Sequence, residues 1–271
     1  MIHIASYGPW AVVTGASSGI GRAFARHLAE GGLNLVLSAR STEEIDSLGR
    51  ELAYRHGIAF RTVTADLRDP GAVSLIAEAT ADLDVGLLVS NAGAGRPGRL
   101  LEQSLETLHG RFTLNAVSHL DLVHEFGRRF GKRRRSGIIL ISALGAGPGI
   151  PYMAHDAASK AYVLSLGGAL HNEFAPDGVA VTVVQPGNVD TPVIDAYGID
   201  RSMFPIRPLA TDRAVRGAVK AFLKGRAVHI PGRRMALLST LMPRAMSVWV
   251  NGRMMGAAAR NLAEREALAS R

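Results

Sequence analysis

The sequence predicts an α/β protein: one doubly wound, parallel sheet of about seven strands with helices on both faces. Three observations carry this. Apolar runs of strand length alternate with longer amphipathic stretches from the start to about residue 231, the pattern of βαβ units. A glycine-rich turn joins the first strand to the first helix. The chain has 271 residues, 47% of them hydrophobic, enough to bury one full core, and neither a repeat nor a linker-like stretch divides it. Residues 1–271 therefore read as a single domain.

Taken in order, the strands are Trp10–Thr14, Asn34–Ala39, Phe60–Ala65, Val85–Ser90, Gly137–Ser142 and Val179–Gln185, with Ala227–Gly232 as a seventh. After the first, "IGRAFARHLAEGG" puts Ile20, Phe24, Ala25 and Leu28 on one helical face and stops at Gly31 and Gly32. After the second, "STEEIDSLGRELAYRHG" opens on Ser41, carries acids in its first turn and closes on His56 and Gly57, the polarity a helix prefers. The segment Ser142–Met153, rich in Gly and Pro, follows a strand's C-terminal end, where ligand loops belong in an open α/β sheet. Residues 188–210 run irregularly before a helix near Thr211–Lys224.

The turn "TGASSGIG", Thr14–Gly21, sets Gly15, Ser17, Ser18, Gly19, Ile20 and Gly21 between strand and helix. Glycine permits positive φ and close backbone approach, and free N–H groups at the helix start suit a pyrophosphate. A dinucleotide is the expected ligand. At the end of the second strand stands Arg40, with no acid to pair with both ribose hydroxyls. A guanidinium there suits a 2′-phosphate, so NADP(H) is preferred to NAD(H).

With these motifs in order, the chain resembles the short-chain dehydrogenase/reductase family over nearly its full length. The resemblance rests on "TGASSGIG", on "NAG" (Asn91, Ala92, Gly93), on Asn115, on Ser142, on Lys160 and on "QPGNVDTP" (Pro186, Gly187, Val189, Thr191), with Asp66 and Leu67 in "TADLRDP". It implies a Rossmann-type fold and a homodimer or homotetramer. It also implies that Asp66 and Leu67 lie against adenine, that residues 186–191 border nicotinamide, and that Asn115, Ser142 and Lys160 are catalytic. The family's tyrosine, four residues before the lysine, gives the substrate carbonyl its proton.

Here that position is Asp156. A phenol has a pKa near 10 and an aspartic acid one near 3.9, and a neighbouring ammonium should hold the carboxylate ionised. Asp156 is therefore expected to have no proton to give at neutral pH, and it is shorter by most of a ring. Tyr152 is two turns away, and His155 points roughly 100° aside on a regular helix. Three readings follow: an NADP(H)-dependent oxidoreductase for an apolar carbonyl or alcohol, with weak or abolished activity; a non-catalytic NADP(H)-binding regulatory or scaffold protein; and an enzyme in which Asp156 works through water.

Tyr152, Val193, Ile194, Tyr197, Met203 and Phe204 are candidate substrate contacts, and their apolar character sets the expected substrate class. The tail, about 233–271, is basic and amphipathic; it reads as a core-packing or subunit-contact helix ahead of a membrane-surface one. Net charge is +8, partly from "GRRFGKRRRSG", Gly127–Gly137, a solvated helix end and loop without the aromatic platform of a nucleic-acid site. The chain has no cysteine, which excludes disulfides and thiolate chemistry. No signal peptide, membrane-spanning run or histidine metal cluster is legible, so the expected location is the cytoplasm and the expected metal content none.

Overall fold

A computed structural model of the chain describes residues 3–133, 135–204 and 206–269. In chain order the elements are β1 (Trp10–Thr14), α1 (Gly19–Glu30), β2 (Asn34–Ala39), α2 (Thr42–His56), β3 (Phe60–Thr64), α3 (Ala72–Glu78), β4 (Val85–Ser90), α4 (Leu105–Phe112), α5 (Ser118–Phe130), β5 (Ser136–Ile141), α6 (Ala154–Glu173) and β6 (Val179–Val184). There follow β7 (Val189–Asp190), α7 (Pro192–Ala196), β8 (Leu209–Ala210), α8 (Thr211–Leu223), β9 (Val228–His229), α9 (Arg233–Leu241) and α10 (Arg244–Ala269). The seventh strand expected over Ala227–Gly232 shrinks to two residues. Ile230 leads directly into Pro231, which has no N–H to donate to a ladder.

Seven strands form one sheet in the order β3-β2-β1-β4-β5-β6-β9, and every pairing is parallel. Strand residues alternate between its faces. Ala11, Val13, Leu35, Leu37, Leu87 and Val89 pack beneath α1, α2 and α8, with Phe24, Leu28, Leu48 and Phe222. Val12, Val36, Leu88, Ile138 and Leu140 turn to the other face, against Ile76 of α3, Phe126 of α5 and Val163 of α6. Both faces are thus dry, as the continuous apolar strands require.

The helix ends follow the sequence signals. Ser41 Oγ accepts from the Glu44 N–H at 3.5 Å, and Gly57 ends α2 in the left-handed region at φ 66°. Between α4 and α5 the backbone widens into a π turn over Thr113–Val117. Such turns re-aim side chains within a continuous helical path, and this one carries Asn115. The strand order reverses between β1 and β4, so the crevice for a ligand opens at their C-terminal ends.

The arginine-rich end of α5 and the loop after it are less solvated than expected. Arg129 donates to the Thr80 carbonyl at 2.7 Å, and Arg133 donates to the Gly8 carbonyl at 2.9 Å and pairs with Asp84. Arg134 lies outside the described residues.

Candidate active site

The cradle is built from the ends of β1 and β4. The Thr14 hydroxyl accepts from the Asn91 and Ala92 N–H groups at 3.0 and 3.1 Å. The Asn91 amide donates to the Thr14 carbonyl at 2.9 Å. Gly15 and Gly19 take φ of 63° and 51°, and a Cβ on Gly21 would overlap the Gly15 carbonyl. Ser17 and Ser18 lie at the mouth of α1 on its positive end, with Ile20 half-buried behind them. Thr191 closes the other side, within 3.5 Å of where a Gly19 Cβ would stand. The Leu144 N–H holds the Pro186 carbonyl at 2.9 Å, and Val189 anchors the loop after Gly187 by pairing with Leu209.

At the far end, Arg40 is exposed beside Asp66, and Leu67 is buried below. Hydrogen bonding to Arg68 holds the Asp66 carboxyl below its usual range, with Arg40 adding to the effect. A dinucleotide fits this set. Gly15 and Gly21 let the turn pack on Asn91 and on itself more closely than any side chain would allow, the N-terminal N–H groups of α1 open beside it as an anion site, and Arg40 is exposed at the end of β2.

The positions expected to be catalytic are each held by neighbours in the fold. Asn115 is fully buried and clamps Ala94 twice, accepting its N–H at 2.9 Å and donating to its carbonyl at 2.7 Å. Lys160 Nζ donates to the Ile141 carbonyl at 3.0 Å and lies 3.4 Å from His119 Nε2. Burial lowers its pKa to about 8. His119 Nδ1 meets Ser90 Oγ at 2.7 Å, and burial with the Lys160 charge pushes the imidazole well below its ordinary value. A neutral ring donating through Nδ1 leaves Nε2 to accept from the ammonium. Ser142 Oγ donates to the Lys160 carbonyl at 2.7 Å, which commits its proton to the backbone of α6, and the next residue is Ala143.

Asp156 shares α6 with Lys160, yet its carboxylate turns to other partners. Oδ2 accepts from Arg111 Nη1 at 3.2 Å and from the Arg96 N–H at 3.1 Å. Arg111 also donates to Gln103, and both members of the ion pair are buried, with side chains 9% and 8% exposed. The Lys160 ammonium does favour the ionised carboxylate, as expected, but it is outweighed. Burial is the larger effect and raises its pKa, while Arg111 comes next and Lys160 contributes least. Among the described residues, Asp156 Oδ1 and Arg111 Nε meet no hydrogen-bond partner.

His155 donates from Nε2 to the Leu108 carbonyl at 2.7 Å if that nitrogen carries the proton, so it is tied to α4 rather than free as an acid. Tyr152 lies outside α6 with φ 63°, its carbonyl accepting from Gly98 at 2.8 Å and its ring against Gly256 of α10. With Arg96, Arg99, Gln103, Arg111 and Asp156 it lines a cavity of about 400 Å³. Tyr197 packs its hydroxyl on Gly95, and burial followed by the Asp156 charge raises its pKa. Val193 is nearly half exposed, whereas Ile194 beside it is buried. Sequence reasoning missed Arg111, Gln103 and His119. Arg111 lies one helical turn before Asn115, but its pairing with Asp156 spans 45 residues and leaves no local pattern.

Residues 9–201 match the short chain dehydrogenase family, and the chain belongs to it. Among its relatives is the 7beta-hydroxysteroid dehydrogenase of Collinsella aerofaciens, 30% identical over 186 residues, which span 69% of this chain and 71% of that one. The human inactive hydroxysteroid dehydrogenase-like protein 1 is 33% identical over 191 residues, covering 69% of this chain and 58% of the human protein. In structure the chain is similar to a short-chain dehydrogenase from Sphingobium yanoikuyae in complex with NADPH. The TM-score is 0.78 at 29% identity, over 87% of this chain and 97% of that one.

Proposed function

We propose that this chain binds NADP(H), in preference to NAD(H), in an oxidoreductase site shaped for an apolar carbonyl or alcohol, and that its turnover is weak or absent. The observation that carries this is the double donation into Asp156 Oδ2 from Arg111 and the Arg96 N–H. Both donors take lone pairs of Oδ2 and hold the carboxyl in an ion pair with Arg111, where the family's reaction has a phenol to give its proton. Bound NADPH would supply hydride. Gly15, Gly19 and Gly21 would seat its phosphates, Arg40 its 2′-phosphate, and Lys160 its nicotinamide ribose. Asn115 and Ser142 serve positioning here, through Ala94 and the Lys160 carbonyl. The hydroxysteroid dehydrogenases among the relatives favour an apolar, ring-based substrate class.

The second reading, a non-catalytic NADP(H)-binding regulatory or scaffold protein, draws support from the human relative named as inactive. Fluorescence titration with NADPH and NADH, followed by a panel of apolar ketones and aldehydes, tests both. The panel is run on the unaltered chain, Asp156→Tyr, and Asp156→Tyr with Arg111→Met. NADPH binding with reduction only in a tyrosine variant supports the first reading; binding without turnover in all three supports the second. Activity in the unaltered chain that Asp156→Asn abolishes would establish the water-assisted reading and overturn both.

A further inference from the structure

The tail divides its apolar residues between two surfaces. Met254, Met255 and Ala258 of α10 are buried, as a core-packing helix requires. Leu237 and Leu241 of α9 and Met246 and Trp249 of α10 are instead 61%, 70%, 51% and 61% exposed. Leu237 and Leu241 stand four apart, and Met246, Trp249 and Arg253 stand three and four apart, so each set shares a helical face. The Met242–Pro243 turn joins the two helices between Leu241 and Met246. Single exposed apolar residues need no explanation, but four large ones on consecutive helices form a surface that water solvates poorly.

The charge along α9 and the first half of α10 has one sign. Arg233, Arg234, Arg244 and Arg253 are exposed beside it, and no Asp or Glu occurs from residue 213 to residue 263. The Arg253 guanidinium lies 5.2 Å from the centre of the Trp249 ring, so the aromatic and the cation act at one place. Among the described residues no helix is long and apolar enough to cross a membrane. What fits is an occupant with an apolar interior and an anionic skin. A second copy of the same face fits poorly, because a two-fold contact would set arginine against arginine.

We infer that α9 and the first half of α10 form a docking surface for anionic phospholipid bilayers, with Leu237, Leu241, Met246 and Trp249 entering the headgroup boundary and the arginines meeting lipid phosphates and carboxylates. The same helices hold the rim of the crevice. Met235 of α9 reaches within 3.0 Å of where a Gly187 Cβ would be, and Gly252 and Gly256 of α10 pack on Pro151 and Tyr152. Docking therefore brings the mouth of the site to the bilayer surface, where apolar compounds partition. Docking needs no turnover, so it is tested without any enzyme assay.

The test is flotation of the full chain with phosphatidylcholine vesicles and with vesicles in which about a third of the lipid is phosphatidylserine. Expected are flotation with the anionic vesicles only, a blue shift of tryptophan emission, and release at about 1 M salt, where charge is screened beyond roughly 3 Å. Arg233→Gln, Arg234→Gln, Arg244→Gln and Arg253→Gln together should weaken binding on the order of a thousandfold. Leu241→Ser with Trp249→Ser should abolish the blue shift. All the altered residues are exposed, and unchanged NADPH titration and circular dichroism confirm the fold. Failure to float with anionic vesicles, or flotation untouched by both variants, overturns the inference. So does a dimer that the serine variant dissociates without any vesicle affinity, which would make this face a contact between copies.

Discussion

Replacing Lys160 with methionine is expected to flatten the alkaline stability profile of this protein. In the fold the amine titrates at about 8 rather than 10.5. Between those values the unfolded chain holds a proton that the folded chain has released. Stability therefore rises with pH across that window, and the full penalty of the buried charge is present below about 8. A gap of this size corresponds to roughly 3 kcal/mol at about 1.4 kcal/mol per tenfold. Lys160 is only partly buried, so water screens part of the charge and about 2 kcal/mol is expected. Urea unfolding at pH 7 and pH 10 measures it. The unaltered chain should gain about that amount relative to Lys160→Met, and the raised tyrosines, Tyr7 and Tyr197, cancel because both proteins carry them. Parallel profiles would refute the reasoning, since an amine packed against Ile141 and His119 cannot titrate like a solvated one.

The buried Arg111–Asp156 pair predicts a strong coupling. Arg111→Met and Asp156→Leu should each cost about 3 kcal/mol in urea unfolding while the double variant costs far less, because either single change strands a buried charge. Additive costs would count against the pair. Arg40→Ala should lower NADPH affinity about tenfold in fluorescence titration and leave NADH affinity nearly unchanged; equal losses would mean that Arg40 does not contact the 2′-phosphate.

Where a site depends on backbone shape, the sequence shows it plainly. Gly15, Gly19 and Gly21 announce the cradle because only glycine fits those turns, and Ser41 and Gly57 mark the ends of α2 for the same kind of local reason. Side-chain alternation makes the sheet legible, since Val12 and Val36 must face away from Val13 and Leu37. What the sequence hides is pairing over distance. Spacing places Asp156 and Lys160 on one helix, but nothing local says that the carboxylate turns to Arg111 and the amine to His119. The tail shows the same limit. Its composition fits a buried helix or a surface one, and only packing decides that Met254 goes in while Trp249 stays out.

The surroundings of Asp156 bear on what restoring a tyrosine can achieve. Had the phenol alone been lost, its neighbours would still be suited to a phenol. Instead Arg111, Gln103 and the Arg96 N–H converge on the carboxylate or on its partner, a set that answers the cost of burying a negative charge. A tyrosine at this position removes the anion that Arg111 needs and leaves the guanidinium with Gln103 and the cavity. Asp156→Tyr alone should therefore lose stability and regain little activity, whereas adding Arg111→Met removes the stranded charge. If the single variant reduced ketones as well as the double, the arginine would be a bystander and the site still built for tyrosine.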